Sequence, residues 1–583
     1  MQKLSTSVWI AIMCLVFSTV ITSCTDNNYD LNEVDTTVGI GSGELKIPVS
    51  STTQIPLADV LTLTENGIVK IMDNGDYMIS REGDNVNPAT PSINNIYVSG
   101  QINKANDVTI SLASAAPART KSSQQINGEA DIWRINYESR PQNDIEDLTW
   151  ATLNADVTLQ VKLSNLSNVL SQVRTIKLDM PDYMELTNVR IDGNIGSWTQ
   201  TNSGLVFNNI GTERDLSISF NISKMHFGNQ LSFNSITKKV SMLGNVHMGV
   251  AIDASDIRTG IIPPSSLTFA TSMNLGEITI LGAYGRFNPS IDLGNLGETN
   301  FGDIPKFLQD KDVVADLYNP QIYLDIANNM PIGGYINGTL KAYKDGSLTS
   351  SVSIPDMPIA SAATSHLCIC RLAEGVANSN YSPIVVSNLS NLIATIPDKV
   401  VFEAKARADK DTYYQLTLGQ TFEIAPKYNI STPIAFGKDA RIVYNDSIDN
   451  LNKDIKDIDL AEGAYLQANA NIENRIPAHL SLSAEAYGLD KKPIGSDLIE
   501  IEVSNNVIAS ADGETPITTP IEIKIKQHKK GALKMVDGIA VRIEGAATDD
   551  NNSVVGVTLN ANKHTLTAKD IVIKLIGKII ADL

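Results

Sequence analysis

Cysteine is nearly absent from this chain. Its 583 residues carry four: Cys14, Cys24, Cys368 and Cys370. The first two belong to an apolar N-terminal segment, so a disulfide framework is excluded and stability has to come from apolar cores. Catalytic signatures are missing too: there is no Gly-x-Ser-x-Gly elbow, no His-Glu-x-x-His and no Cys-x-x-Cys. The six histidines, His226, His247, His366, His479, His528 and His564, are scattered without ligand spacing. Gly39-Ile40-Gly41-Ser42-Gly43 lacks the lysine and helix of a phosphate loop and reads as a flexible hinge. Positive charge is short as well, with 46 Lys and Arg against 65 Asp and Glu. The net charge of -19 repels phosphates and anionic lipid surfaces, which excludes nucleic acid as a partner.

What is present begins at the N-terminus. Lys3 precedes the apolar run from Val8 to Val20, and Ile21-Thr22-Ser23-Cys24 closes it. That is the layout of a signal peptide over residues 1–23. A retained transmembrane helix would need about 20 apolar residues, and this run is shorter and broken by Ser18 and Thr19. The segment resembles the lipobox of bacterial lipoproteins. The resemblance implies that Cys24 becomes a multiply acylated first residue, and several acyl chains hold a protein firmly where one does not. Residues 24–44 are rich in Asn and Asp, cannot bury enough surface to fold alone, and read as a tether. The acids after Cys24 resemble surface-export signals of Bacteroidota lipoproteins; a plain solvated spacer is the alternative.

The dominant period along the chain is two. Ala155 to Leu163, Leu216 to Phe220, Ile521 to Ile525 and Ile571 to Leu575 alternate apolar and polar residues, as strands with one wet face do. Asn74-Gly75, Asp192-Gly193, Asn337-Gly338, Asp345-Gly346, Asp512-Gly513 and Asp537-Gly538 are candidate hairpin turns. Helical candidates are few: Leu166 to Val173, Ile304 to Ala315 and Asp449 to Asp459. The fold expected is all-β, with several tandem antiparallel β-sandwich-like domains and few short helices. The expected divisions are a small β module at 45–111, a linker at 112–128, and sandwiches at 129–300, 301–425 and 426–583.

A weak repeat runs through the second half. Tyr323 leads through Asn328-Asn329-Met330-Pro331 to Tyr343, and Tyr465 leads through Asn474-Arg475-Ile476-Pro477 to Tyr487. Each reads as strand, Asn/Pro turn, strand, terminal Tyr, which points to two related sandwiches. Chance likeness between two hairpins is the alternative.

Candidate site residues are few. His366, Cys368 and Cys370 share one face if they lie on a strand, a three-ligand edge at most; buried core thiols are the alternative. No metal and no cofactor is expected. Aromatics make up 6% of the chain, and Trp133, Trp150 and Trp198 are the tryptophans beyond the leader. Trp198 follows a turn and is the candidate ligand contact; burial in a sandwich core is the alternative for all three. Paired carboxylates for glycoside hydrolysis leave no linear signature.

The lipobox, the Asn/Asp-rich tether and the stretches Asp35 to Leu45 and Ile55 to Leu61 resemble uncharacterised outer-membrane lipoproteins of Bacteroidota. The resemblance covers roughly the first 80 residues and implies an outer-membrane address, on the periplasmic or the cell-surface side. The function expected is a lipid-anchored, non-enzymatic binding or scaffold protein. Its partner would be an envelope protein or a polysaccharide. Two alternatives stay open: a glycan-binding component of nutrient uptake, and a pilin-like adhesin. The adhesin would need cleavage after Arg119 or Arg140 and a free donor strand such as Ile571 to Leu583.

Overall fold

The computed structural model describes residues 37–582, apart from 49–50, 62, 64–66, 84–85, 113–123, 277, 303, 377, 456–458 and 550–551. The chain is all-β: among these residues the α-helices are two single turns, Leu57–Val60 and Asn452–Ile455. Alternation sets which face each strand buries. In Ile145–Lys162 the residues from Ala151 to Val161 alternate strictly between buried and exposed.

Three sandwiches follow one pairing rule. In the first, Gln125–Ser139 pairs with Lys239–Asp253, which also pairs with Gln172–Asp179. Ile145–Lys162 pairs with Leu216–His226 and with the closing strand Ile278–Phe287. In the second, Asn295–Asn300 and Gly334–Lys344 flank Lys399–Ala408, while Gln321–Asn328 pairs with Ala363–Cys370 and the closing strand Ile424–Pro433. In the third, Arg441–Ile448 and His479–Gly488 flank Val536–Ala546. There, Tyr465–Asn474 pairs with Ile517–Gln527 and the closing strand Thr565–Asp582.

Each closing strand takes its second neighbour from the N-terminal segment. Thr37–Pro48 pairs with Thr565–Asp582, Tyr77–Glu82 with Ile424–Pro433, and Ile96–Lys104 with Ile278–Phe287. Residues 37–111 are therefore a strap that runs past the third sandwich, then the second, then the first, adding a strand to each. The expected separate module at 45–111 is not found. Its strands bury their apolar residues in cores that later sequence supplies. Leu57, Ile79, Phe301, Ile434 and Ile571 share one core, and Ile96, Val108, Ile135, Ile326 and Ile424 share another.

Three local expectations are also corrected. The glycine hinge Gly39 to Gly43 lies within a strand, with a register shift between Ile40 and Gly43 where small residues admit a bulge. The expected linker ends earlier than residue 128, because a strand begins at Gln125; residues 113–123 lie outside the described residues. Asn337-Gly338 and Asp537-Gly538 fall inside strands rather than turns. A side chain at Gly338 would collide with the Glu403 carbonyl, and one at Gly538 with the Tyr487 ring, so close approach of a neighbour selects glycine there. Asp345-Gly346 does form its hairpin, with φ of 47° and 75°, as a type I′ turn requires.

The Tyr/Asn repeat is a structural one. Asn328 and Asn474, each at the end of its strand, are both buried. Asn328 donates from Nδ2 to the carbonyls of Ile332 (2.9 Å) and Ala360 (2.8 Å), and accepts the Met330 N–H at 3.0 Å. Asn474 repeats this with Ala478 (3.2 Å), Ile508 (2.9 Å) and the Ile476 N–H (2.8 Å). One amide thus ties down the whole turn to the next strand in both copies.

Candidate functional site

Cys24 and the signal segment lie outside the described residues, as does Arg119. Arg140 is exposed just after the strand Gln125–Ser139. The C-terminal strand is hydrogen-bonded on both sides, to Thr37–Pro48 and to Tyr465–Asn474, so it completes its own sandwich and is not a free donor.

His366, Cys368 and Cys370 do share a strand face, and the strand sorts them by burial. Both thiols are fully buried beside Tyr323 and Tyr381. Burial pushes Cys368 up to about 12 and raises Cys370 as well, so neither is a thiolate near neutral pH. His366 is half exposed and turns to Asp325, with Nδ1 2.5 Å from Oδ1. Tyr381 covers the group. Its ring meets Tyr323 at 4.9 Å and His366 at 5.4 Å, and its hydroxyl donates to Asp325 Oδ2 at 3.0 Å. Among the described residues no three His, Cys, Asp or Glu side chains converge as metal ligands.

The tryptophans separate. Trp133 is buried in the first core. Trp150 lies on the wet face of the first sandwich, in a row that sequence reading did not assemble. Tyr284 stands 5.9 Å from Trp150 with the ring planes 19° apart, and Tyr413 stands 5.7 Å from Tyr284. Lys224 sits 4.6 Å from the Trp150 ring centroid, and Arg286 sits 5.5 Å from that of Tyr413. The Tyr413 hydroxyl donates to Asp147 at 2.6 Å, which raises the pKa of Tyr413. Tyr413 precedes Tyr414–Thr417, a strand of the second sandwich region that pairs with Gly282 to Gly285 of the first. The row therefore bridges two sandwiches, and its rings already stack on one another and on two cations. The signal available in sequence was Trp150 at a solvent-facing position of an alternating strand; its partners are 134 and 263 positions away (284 less 150, 413 less 150).

Trp198 lies on a strand, Ile195–Gln200, rather than on a loop, and is 38% exposed. It stands opposite the buried Phe207 in register, so its indole is on the core-facing side of the sheet. Ile195–Gln200 is one end of the first sandwich's sheet and Met184–Asp192 is the other. Gln200 Nε2 donates to the Leu186 carbonyl at 2.9 Å, crossing between these two ends.

Carboxylates are plentiful, and those with resolved shifts are mostly held low by hydrogen bonds. Backbone and hydroxyl donors lower Asp215 and Asp512, and Lys238 lowers Glu146. Asp144 is raised by burial. Asp310, Asp312 and Glu544 gather on Arg542, whose guanidinium reaches Asp312 at 2.8 Å and Glu544 at 2.9 Å. A glycosidase pair sets a raised acid beside an ionised carboxylate. The gathered acids here surround a cation instead.

These observations define an all-β protein of three strap-linked sandwiches. No known family and no curated protein matches the chain. Among solved structures it is similar to a protein from Parabacteroides distasonis described as secreted, at 14% identity, over 48% of this chain and 82% of that one, with a TM-score of 0.35. A likeness of that order carries no inference about activity.

Proposed function

We propose that this chain is a lipid-anchored, non-enzymatic binding or scaffold protein of the bacterial outer membrane, held through Cys24 with its sandwiches outside the bilayer. No described helix is long and apolar enough to cross a membrane. The observation that carries the reading is the direction of the strap. The described chain enters at Thr37 in the third sandwich and reaches the first sandwich last. Cys24 precedes Thr37 by 13 positions (37 less 24), a reach of about 45 Å when extended. An anchor at Cys24 thus holds the third sandwich near the bilayer and leaves the first free to meet partners.

Pull on the anchor is shared among three sheets through backbone pairing, which suits a scaffold. The buried thiols, the cation-centred acids and the self-stacked aromatic row all favour binding over turnover. Two experiments test the reading. Cys24→Ala should leave the membrane fraction for the soluble one, and retention there would refute the anchor. Residues 25–583, screened against a panel of glycosides and polysaccharides, should show no turnover. Turnover abolished by one Asp or Glu substitution would refute the binding role.

A further inference from the structure

The first sandwich brings a lysine, a carboxylate and a carboxamide together at one end. Lys238 closes the turn before Lys239–Asp253, in the left-handed region at a φ of 58°. Asn288 follows the closing strand Ile278–Phe287, where the chain leaves for the second sandwich. Glu146 is the second residue of Ile145–Lys162. The segment from Gln142 to Glu146 holds the other two in place. The Lys238 carbonyl accepts the Gln142 N–H at 2.6 Å, and the Asn288 N–H donates to the Asp144 carbonyl at 2.7 Å. Ile145 and Phe287, the neighbours of Glu146 and Asn288, are register partners and fully buried, so the site borders the dry core.

Both side chains meet one carboxylate. Lys238 Nζ donates to Glu146 Oε2 at 2.7 Å, and Asn288 Nδ2 donates to Oε1 at 3.3 Å. Nζ also donates to the Ile145 carbonyl at 3.0 Å, which fixes its direction. The Lys238 and Glu146 side chains are 22% and 28% exposed, so water has little access. One carboxylate oxygen thus faces a nucleophile and the other a leaving group.

We propose that Lys238 and Asn288 become joined by an isopeptide bond, with Glu146 carrying the protons. The Lys238 ammonium passes one proton to Oε2 and becomes a nucleophilic amine. Nζ adds to Asn288 Cγ. Glu146 delivers its proton from Oε1 to Nδ2 and takes a second one from Nζ. The Cγ–Nδ2 bond breaks, and ammonia departs with the proton from Glu146 as ammonium. A lysine ammonium and a carboxamide have become an amide and an ammonium ion, so no oxidant, reductant or co-reactant is consumed. The Lys238 hydrogen bond holds the pKa of Glu146 low, which keeps it ionised and able to accept the proton. The fold supplies the proximity. The bond would tie the start of Lys239–Asp253, which pairs with Gln125–Ser139, to the end of the closing strand, which pairs with Ile145–Lys162. Pull on the chain beyond Asn288 could then not peel the closing strand away. The inference depends on neither the anchor nor the binding role.

Intact mass spectrometry of the soluble chain 25–583 tests it. The purified protein should weigh one ammonia less than its sequence, and trypsin should release one branched peptide in which Lys238 is joined to Asn288. Glu146→Gln and Lys238→Arg should each restore the full sequence mass. Asn288→Asp should lose water in place of ammonia, which a merely structural role for Asn288 would not produce. If these variants fail to fold, the branched peptide of the unaltered chain decides alone. Full sequence mass after long incubation would overturn the proposal. So would ammonia lost at an Asn-Gly turn while trypsin still cleaves at Lys238. A bond that still forms in Glu146→Gln would overturn the part given to Glu146.

Discussion

Replacing the fully buried Asn474 with alanine removes three hydrogen bonds from its turn. Two carbonyls, Ala478 and Ile508, lose their Nδ2 donor, and the Ile476 N–H loses its acceptor. A typical hydrogen bond contributes about 1 kcal/mol net, so three lost bonds set the expected loss at about 3 kcal/mol. Asn328→Ala should cost as much in the second sandwich, because its three bonds are the same. Asn474→Asp should be worse, since it keeps the acceptor but sets a buried carboxylate against two carbonyl oxygens. Urea titrations of the soluble chain followed by far-ultraviolet circular dichroism, which reports the strands of all three sandwiches, measure these losses. Because the strap pairs with all three sandwiches, the double alanine variant should lose about 6 kcal/mol in one transition. A single-variant loss below about 1 kcal/mol would refute the role of the amide. Two separate transitions, each moved by one substitution, would refute coupling through the strap.

Other perturbations have equally definite outcomes. Burial lowers His564 from 6.5 to about 4, and its Nδ1 accepts the Asn560 N–H at 2.9 Å. The unfolded chain therefore binds the extra proton between those values, so stability falls as pH drops from 6.5 to 4, by about 3 kcal/mol at most. His564→Gln should flatten that slope, and an unchanged slope would refute it. Cys368 and Cys370 should resist thiol reagents in the native chain and react fully in urea; native labelling would contradict their burial.

Much of the fold was legible in local sequence because strand alternation is local. The runs Ala155 to Leu163 and Leu216 to Phe220 lie in adjacent strands of one sheet. Tyr323 to Tyr343 and Tyr465 to Tyr487 carry the same turn because one asparagine does the same work in both. The first sandwich follows the same pairing rule, yet its strand Ile145–Lys162 ends on lysine where the other two end on a buried asparagine, so its kinship left no trace in side chains. The strap was hidden for another reason. Alternation shows that a stretch is a strand, not which strand it joins, and Thr37 finds Asp582 across the whole chain. Trp198 could be singled out as a tryptophan after a turn. That it stands at a sheet end follows only from topology.

Paired cysteines along the strap test the central claim most directly. Three register pairs serve: Lys46 with Lys574 in the third sandwich, Ser80 with Ser431 in the second, and Ser99 with Glu138 in the first. Partners in antiparallel strands have Cα atoms about 5 Å apart, within disulfide reach. Each double-cysteine variant should form its cross-link under mild oxidation, read as one mass-identified bridged peptide, while Cys368 and Cys370 stay reduced. A bridge at 46–574 without bridges at 80–431 and 99–138 would contradict a strap that threads all three sandwiches.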